Sequence, residues 1–331
     1  MKKLLIILDG LMEESFENSN LGEMILGEHS KDFKMEKVSY CTNGYDIDSL
    51  NCIMNMLGYS PEKFDLSDRA YYEGLSHGIV DYEYIMRCNV VRITGGVLED
   101  FTGGGLPNNI GDIVNGFKIS GGRAFSCQGY KNLIYFNKGF KLEGEGAYPP
   151  HFNQGKRVDE IMPESKVLRE VVKKSIDYFN SLGHSGLALW PWGISTMPRF
   201  KGRELDTGIV SGIDLIHGIG LHLGMDSVKV LGGTGDINTN LSAKLIATLS
   251  SIEKNHRTIL HINGFDEAAH RRDKNLKKSF INQVFEEILG PLIKESLSNN
   301  IDIYITSDHR TDSILGVHLS GWVPLFKKVK Q

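Results

Sequence analysis

The sequence predicts an α/β fold built on a mostly parallel sheet flanked by helices. Several short apolar runs end in Gly, Asp or His and are followed by a helical pattern: "KKLLIILDG", "SVKVLGGTGD", "RTILHINGFDEAAH" and "IDIYITSDH". Buried strands that alternate with helices are typical of a parallel sheet covered on both faces. In such sheets ligands bind outside the carboxyl ends of the strands, and the polar residues of these runs stand there.

The N-terminal run is predicted to be the first buried strand. In "MKKLLIILDG" two lysines precede apolar residues, an arrangement that superficially resembles a secretory signal. Asp9 interrupts the run after five apolar residues, so the run is too short for a signal core or a membrane span. We therefore expect a strand that ends at Asp9.

Two helices are predicted from the spacing of apolar residues. After Ser49 these residues repeat at i, i+3, i+4 and i+7 until Gly58, so a helix should begin at about Ser49. A longer pattern from Leu276 to Leu292 places apolar residues on one face and charged residues, Lys277 among them, elsewhere. This pattern predicts an amphipathic surface helix.

The middle of the chain differs from both ends. From about 95 to 205 it carries glycine-rich turns, a Pro149-Pro150 pair and the tryptophans of "WPWG". We expect this segment to form a smaller α+β domain that is inserted into the α/β core. The predicted core then comprises 1–94 and 206–331, and the insertion comprises 95–205.

Composition excludes several classes of function. A chain of 331 residues, 40% of them hydrophobic, is long enough for a large core. The formal net charge of -4 provides no basic field for nucleic acid. The four cysteines, at 41, 52, 88 and 127, are scattered without a C-x-x-C pair, which argues against a zinc knuckle or a disulfide framework. We expect a cytoplasmic protein with neither nucleic acid nor membrane as partner, and the sequence leaves its oligomeric state open.

The polar residues that follow the predicted strands form a candidate metal-binding set: Asp9, Asp266, His270, Asp308, His309 and His318. In a helix, Asp266 and His270 would stand at i and i+4 on one face. Carboxylates and imidazoles without thiolates suit manganese, zinc or cobalt better than magnesium. Six ligands are too many for one open catalytic ion, but they suit two ions that share a substrate.

Each of these residues also has an ordinary structural interpretation. An Asp at the end of a strand is often a turn or cap residue, a His on a loop is often only solvated, and Ser49 alone would be taken for a helix cap. Ser49 would combine a hydroxyl nucleophile with the amides of a helix N-terminus, a favourable environment for a phosphoryl group. From these patterns alone, a two-metal site and a purely structural set both stay open.

A series of motifs resembles one family in order along the chain. The motifs are "ILDG", "DSLNCIMNMLGYSP", "DRAYYEGL", "MRCN", "WPWG", "IDLIHGIGLHLGM", "GGTG", "HINGFDEAAHRRDKNLK" and "SDHRTDSILGVHL". They are similar to those of cofactor-independent phosphoglycerate mutases of the archaeal type, members of the alkaline phosphatase superfamily. The similarity extends from residue 4 to about 326, and "FDEAAH" and "SDHRT" are its most specific parts.

The resemblance implies a two-metal phosphotransferase core with an inserted domain that closes over a small phosphorylated metabolite. It implies one metal ion held by Asp9, Ser49, Asp308 and His309. The other would be held by Asp266, His270 and His318. Ser49 would attack phosphorus in line and form a phosphoserine, so that 3-phosphoglycerate and 2-phosphoglycerate interconvert in glycolysis without added bisphosphoglycerate.

The chain departs from the family pattern around the nucleophile and the substrate pocket. Ser49 lies between Asp48 and Leu50 where the family usually has Gly-Ser-Asp, and "DFT" at 100–102 replaces an arginine-rich motif. "GWVP" at 321–324 stands where relatives carry "DPVP". These departures favour two alternatives: a phosphatase or phosphotransferase acting on another metabolite, or a metal-binding relative without activity.

Five residues are candidates to bind the phosphate or carboxylate of a substrate: Arg69, Arg87, Asn89, Lys131 and His151. Guanidinium groups in particular match the geometry of these oxyanions. Each candidate also has an ordinary structural interpretation.

Overall fold

The computed structural model describes residues 1–144 and 148–329. Its strands, in chain order, are β1 (Lys3–Leu8), β2 (Phe33–Val38), β3 (Tyr84–Thr94), β4 (Val97–Asp100), β5 (Lys118–Ile119), β6 (Gly122–Gln128), β7 (Lys131–Phe136), β8 (Leu187–Ser195), β9 (Thr207–Ser211), β10 (Asp226–Lys229), β11 (Arg257–Ile262), β12 (Asp302–Thr306), β13 (Arg310–Asp312), β14 (Val317–Leu319) and β15 (Val323–Lys328). Its α-helices are α1 (Leu21–Leu26), α2 (Ser49–Met56), α3 (Arg69–Ser76), α4 (Ile110–Gly116), α5 (Val158–Ile161), α6 (Lys166–Ser181), α7 (Asp214–His222), α8 (Leu241–Lys254), α9 (Gly264–His270), α10 (Lys274–Val284) and α11 (Gly290–Ser298). Short 3-10 turns cover Glu14–Phe16, Gly27–Asp32 and Pro150–Phe152, and a π-helical turn covers Phe285–Leu289.

The described chain divides into two compact units. The first unit comprises Met1–Leu66 and Arg199–Gln331, and the second comprises Ser67–Pro198. The second unit is thus an insertion in the sequence of the first, but its boundaries differ from the predicted 95–205.

Both differences in boundary have a structural reason. β3, which precedes residue 95, pairs with β4, β7 and β8, and all of these strands belong to the second unit. On the other side, Glu204 accepts a hydrogen bond from Tyr59 Oη at 3.3 Å and forms an ion pair with Arg257 at 2.8 Å. Residues 199–205 are therefore tied to the first unit.

The first unit contains the predicted parallel sheet. Within the described residues, this sheet has seven strands in the order β10-β9-β11-β1-β12-β15-β2. The strands from β10 to β12 run parallel to one another, whereas β15 and β2 join antiparallel at one edge. The central strands β1 and β11 are mostly buried and mainly apolar, as expected for strands covered on both faces. The predicted α/β fold with a mostly parallel sheet is confirmed.

The predicted helix from Leu276 to Leu292 is interrupted and is less exposed than expected. α10 passes through the π-helical turn into α11, because Pro291 has no backbone N–H to donate to the carbonyl of Glu287. Lys277, which was expected on a charged face, is fully buried. No helix in the described part of the chain is long and apolar enough to cross a membrane.

The second unit is an α+β structure. Among residues 67–144 and 148–198, its strands form a sheet in the order β4-β3-β7-β6-β5, and β8 also pairs with β3. All of these pairings are antiparallel. Side chains of α4 and α6, such as Val114 and Phe179, pack in one buried cluster with Val90 and Phe136 of the sheet.

A buried histidine in α7 gives the first unit a predictable response to acid. His217 Nε2 lies 2.9 Å from the carbonyl of Ser211, and Nδ1 lies 2.9 Å from Ser227 Oγ. Burial, and then the charge of Lys229, lower the pKa of His217 to about 4. A group with a depressed pKa contributes stability that is fully present above its ordinary pKa and is lost as the pH falls.

We therefore expect the free energy of unfolding to fall between about pH 6.5 and pH 4 by as much as about 3 kcal/mol through His217. The His217→Gln variant should show a smaller pH dependence in this window. Urea unfolding at a series of pH values measures this pH dependence. His256→Gln is the control, because His256 is exposed. If the free energy of unfolding changes equally with pH in His217→Gln and in the unmodified protein, the expectation is contradicted.

Candidate metal centre

Three neighbouring parallel strands bring the predicted residues to one edge of the first unit's sheet. β1 pairs in parallel with β11 on one side and with β12 on the other. Asp9 follows β1, α9 with Asp266 follows β11, and Asp308 follows β12. The strand-end acids converge because the carboxyl ends of parallel strands meet at the same edge.

One group of side chains surrounds the Ser49 hydroxyl. Ser49 Oγ donates to Asp9 Oδ2 at 3.2 Å and lies 3.5 Å from His309 Nε2. His309 Nε2 is 3.3 Å from Asp9 Oδ1 and 3.4 Å from Asp308 Oδ2. Asp9, Asp308 and His309 are fully buried, and Ser49 is almost so. The structure thus brings together the four residues that the resemblance assigns to one metal ion.

Gly10, the glycine of "LDG", allows the backbone to approach this group closely. Its φ of +64° lies in the left-handed region, and its N–H donates to Asp308 Oδ1 at 3.1 Å. A Cβ at this position would lie 2.6 Å from Thr311 Oγ1 and 2.7 Å from Asp266 Oδ1. Any side chain here would displace Asp266 and Thr311.

Ser49 occupies the first residue of α2, as the sequence predicted. The helix is capped by Asp48, whose side chain accepts a hydrogen bond from the N–H of Asn51 at 2.8 Å. The cap leaves the Ser49 hydroxyl available to Asp9. Asp48, which departs from the family pattern, therefore has a local structural role as the helix cap.

A second group contains Asp266, His270 and His318. The predicted i, i+4 relation holds in α9, where His270 Nε2 lies 3.3 Å from Asp266 Oδ2. His318 on β14 places Nε2 3.3 Å from Asp266 Oδ1 and 3.0 Å from His270 Nε2. The three residues assigned by resemblance to the other metal ion are thus also in contact.

Backbone carbonyls orient both imidazoles of the second group. His270 Nδ1 lies 2.9 Å from Gly316 O, and His318 Nδ1 lies 2.6 Å from Ile47 O. Each Nδ1 must donate, so in the neutral imidazoles the two Nε2 lone pairs face one another beside Asp266. Burial lowers the pKa of His270, but Asp266 more than offsets this effect and raises that pKa to about 9. Such an arrangement fits a cation between the rings and the carboxylate.

Two buried carboxylate oxygens indicate that the first group also fits a cation. Asp9 Oδ1 and Asp308 Oδ2 are buried, and neither has a hydrogen-bond partner among the described residues. Burial and the carboxylates of Asp308 and Asp266 raise the pKa of Asp9 well above its ordinary value. Ligand atoms of Asp9, Asp308 and His309 lie within 4.8 Å of one another, as do those of Asp266, His309 and His318. The donor set therefore fits divalent cations, which would compensate the buried carboxylates.

His261 is a further residue of the centre, which the sequence-based prediction does not include. Its Nε2 lies 2.9 Å from Asp9 Oδ2, and its Nδ1 lies 3.2 Å from Ser211 Oγ. Burial, and then the charge of Lys244, lower the pKa of His261 to about 3. The neutral ring can donate to Asp9 and fix the orientation of its carboxylate. In the sequence, the feature that could have indicated this role is a polar imidazole within the mainly apolar run "RTILHI".

Thr311, which the prediction also does not include, connects the two groups. Its Oγ1 donates to Asp266 Oδ1 at 2.7 Å and lies 3.2 Å from His309 Nδ1. It stands two residues after His309 in the motif "SDHRT", and that position was its only signal in the sequence. Such contacts orient ligands and tune their basicity.

The five predicted substrate-binding residues all lie in the second unit. Arg69 and Arg87 both form ion pairs with Glu73, at 3.4 and 3.1 Å. The Arg87 guanidinium also lies 4.4 Å from the centre of the Trp192 ring. The structure therefore brings these two guanidinium groups to one acidic side chain.

The other three candidates also lie near aromatic side chains. Asn89 accepts from Trp192 Nε1 at 2.9 Å and donates to the carbonyl of Phe101 at 3.0 Å. The His151 ring lies 5.1 Å from that of Trp192. Lys131 pairs with Asn89 across neighbouring strands, and its Nζ lies 5.6 Å from the Tyr130 ring. Their role in substrate binding stays a prediction.

A fold of this kind, with acids and imidazoles at the strand ends, is a metalloenzyme arrangement, and the comparisons agree. The chain matches the metalloenzyme superfamily over residues 1–330, and it belongs to that superfamily. Membership implies the binding of divalent metal.

Relatives of known name are similar over most of the chain. The 2,3-bisphosphoglycerate-independent phosphoglycerate mutase of Methanosarcina acetivorans is 26% identical over 297 residues, which cover 82% of this chain and 74% of the relative. The enzyme of the same name from Methanothrix thermoacetophila is 27% identical over 307 residues, covering 86% and 76%. The resemblance inferred from the motifs is confirmed.

Among solved structures, the PH0037 protein from Pyrococcus horikoshii is similar with a TM-score of 0.72 at 20% identity, covering 99% of this chain and 87% of that one. The cofactor-independent phosphoglycerate mutase from Thermoplasma acidophilum is similar with a TM-score of 0.56 at 17% identity, covering 99% and 89%. At these identities the similarity shows a shared fold.

Proposed function

We propose that the protein is a metal-dependent phosphotransferase that interconverts 3-phosphoglycerate and 2-phosphoglycerate without added 2,3-bisphosphoglycerate. The observation that supports this most strongly is the position of the Ser49 hydroxyl, between Asp9 and His309 at the start of a helix. The names of the relatives from Methanosarcina and Methanothrix favour this activity over others of the superfamily.

In this proposal two divalent ions occupy the centre. Asp9, Ser49, Asp308 and His309 would hold one ion. Asp266, His270 and His318 would hold the other. Manganese, zinc or cobalt suits these mixed oxygen and nitrogen ligands better than magnesium. When bound, such ions lower the pKa of a nucleophile and offset charge on phosphoryl oxygens.

The chain itself positions the nucleophile. Asp9 Oδ2 accepts the hydrogen bond of the Ser49 hydroxyl, and His261 Nε2 contacts the same oxygen. The N-terminus of α2 directs amide groups and the positive end of its dipole toward a bound phosphoryl group. The Ser49 Oγ–phosphorus bond forms as the ester bond to glycerate breaks.

The second half of the cycle returns the phosphoryl group from Ser49 to glycerate. The other hydroxyl of the glycerate attacks the phosphoserine, and Ser49 regains its hydroxyl. The proton lost by each attacking hydroxyl is balanced by the proton taken up by each departing oxygen. The net reaction therefore consumes neither acid nor water.

The test is an isomerisation assay with 3-phosphoglycerate and no added bisphosphoglycerate. We expect formation of 2-phosphoglycerate, its loss after treatment with EDTA, and its recovery when manganese is restored. The reason is that the buried carboxylates of Asp9 and Asp308 need a cation to be correctly arranged. Activity that persists after the metal has been removed and its removal verified by elemental analysis would contradict the proposal.

A phosphatase, or a phosphotransferase with another substrate, is the second candidate. It is favoured by Glu73, whose carboxylate pairs with both Arg69 and Arg87 and so reduces the positive charge available to a doubly anionic substrate. A phosphate-release assay over a panel of small phosphorylated metabolites separates the two functions. Free phosphate without an isomerised product would favour this second candidate.

A further inference from the structure

Two cysteines that are separated in the sequence meet beside the helix that carries Ser49. Cys52 lies on α2, one turn after Ser49, and is fully buried. Cys41 lies in the segment after β2 and is partly exposed. Their sulfur atoms are 3.9 Å apart, and Cys52 is the donor of a thiol hydrogen bond to Cys41.

The segment around Cys41 is already held along α2. The Asn55 side chain, one turn beyond Cys52, donates to the carbonyl of Tyr40 at 2.9 Å. Two contacts in succession, Asn55 with Tyr40 and Cys52 with Cys41, therefore align the segment with the helix. The thiols are paired by the local fold, which the spacing of the cysteines in the sequence did not indicate.

We propose that Cys41 and Cys52 form a reversible disulfide when the protein is exposed to a peroxide. The bond requires the sulfur atoms to approach from 3.9 Å to about 2.05 Å. Rotation of the partly exposed Cys41 side chain supplies most of this movement, since Cys52 is confined within the core.

The two thiols differ in pKa and in exposure, so that Cys41 would react with the peroxide first and Cys52 would then join it. The hydrogen bond from Cys52 lowers the pKa of Cys41 to about 7, against an opposing effect of burial. The contact with Cys41 and burial raise the pKa of Cys52. Cys41 is thus the thiol with more thiolate and better access, as peroxide-reactive cysteines are.

The chemistry balances with one peroxide and two thiols. The Cys41 thiolate attacks one peroxide oxygen, the O–O bond breaks, and hydroxide leaves as Cys41 becomes a sulfenic acid. The Cys52 sulfur then attacks the Cys41 sulfur, the S–O bond breaks, and the second oxygen leaves as water. Two thiols are oxidised to one disulfide, and the peroxide is reduced to two waters.

The disulfide would cross-link α2 to the segment that contains Cys41, at one turn from the nucleophile. Any effect on phosphoryl transfer rests on the proposed function, whereas formation of the bond does not. We therefore take the bond itself as the measured outcome, so that failure of one proposal can be distinguished from failure of the other.

The experiment treats the reduced, metal-loaded protein with a small excess of hydrogen peroxide and counts the remaining thiols. We expect loss of two thiols, a cross-linked peptide containing Cys41 and Cys52 in non-reducing peptide mapping, and full recovery with dithiothreitol. The thermal midpoint of the oxidised protein should exceed that of the reduced protein, because the cross-link restricts the unfolded chain.

Matched variants make the result specific. Cys127 is, like Cys41, partly exposed, so Cys127→Ser should behave as the unmodified protein does. Cys41→Ser should neither form the cross-link nor show the thermal shift, and Cys52→Ala serves as a second variant for the buried partner. Peroxide treatment that leaves both thiols reduced, or that oxidises Cys41 beyond the sulfenic acid without joining it to Cys52, would overturn the proposal.

Discussion

The Ser49→Ala variant is expected to lose phosphoryl transfer, with kcat reduced by at least roughly a thousandfold. Alanine lacks the oxygen that lies 3.2 Å from Asp9 Oδ2 and 3.5 Å from His309 Nε2, so no bond to phosphorus can form at this position. Steady-state assays of isomerisation and of phosphate release, both with saturating manganese, measure the loss.

The fold should survive this substitution. The cap of α2 is provided by the Asp48 carboxylate and the Asn51 amide, neither of which Ser49→Ala removes. We expect a thermal midpoint close to that of the unmodified protein. Ser60→Ala, just beyond the same helix, is the control and should retain full activity. A Ser49→Ala enzyme with more than about a tenth of the normal rate would contradict the role of this residue.

Trapping the intermediate addresses the alternative of a metal-binding relative without activity. The protein is incubated with 3-phosphoglycerate, quenched rapidly in acid and digested, and the peptide that contains Ser49 is analysed by mass spectrometry. Phosphorylation at Ser49 in the unmodified protein, and its absence in Ser49→Ala, would exclude an inactive relative.

The Lys277→Met variant is expected to have the largest effect on stability, a loss of about 3 kcal/mol or more in the free energy of unfolding. The Lys277 ammonium is fully buried, donates to the carbonyl of Thr311 at 2.8 Å and lies 3.3 Å from Glu13 Oε2. Burial lowers its pKa to about 8, against the opposing effect of Glu13. Removing one partner of a buried ion pair leaves the other charge uncompensated.

This loss corresponds to a decrease of about 6 °C or more in the thermal midpoint. Differential scanning calorimetry measures it, and Lys278→Met is the matched control because that neighbouring lysine is exposed. The double variant Glu13→Gln with Lys277→Met should recover part of the loss, since it removes both charges. Equal midpoints for Lys277→Met and Lys278→Met would contradict this interpretation of the pair.

The burial of Lys277 is a property that the helical pattern of the sequence does not predict. Apolar spacing places residues on the face of a helix that packs against the core, and Phe280 and Val284 are indeed buried there. A lysine beside them is ordinarily expected to reach solvent. Whether it is buried depends on a carboxylate far away in the chain, and Glu13 lies 264 residues from Lys277.

The boundary of the second unit was predicted less well for a similar reason. β3 has the apolar character of a core strand, and the glycine turn after it is typical of the start of an insertion. The unit to which a strand belongs is decided by its hydrogen-bonded neighbours. β4, β7 and β8 are those neighbours, and β8 lies about a hundred residues further along the chain.

The sequence by itself predicted the parallel α/β fold, the start of α2 at Ser49, and the acids and histidines that the structure brings together. These features are local: apolar runs define strands, helical spacing defines faces, and the carboxyl ends of parallel strands meet at one edge. Only the tertiary structure decided the roles of His261 and Thr311, the burial of Lys277 and the meeting of Cys41 with Cys52. The roles of His261, Thr311 and Lys277 depend on contacts between segments distant in the chain. The cysteine contact joins residues only 11 apart, but it depends on how the segment after β2 packs against α2, which no local pattern records.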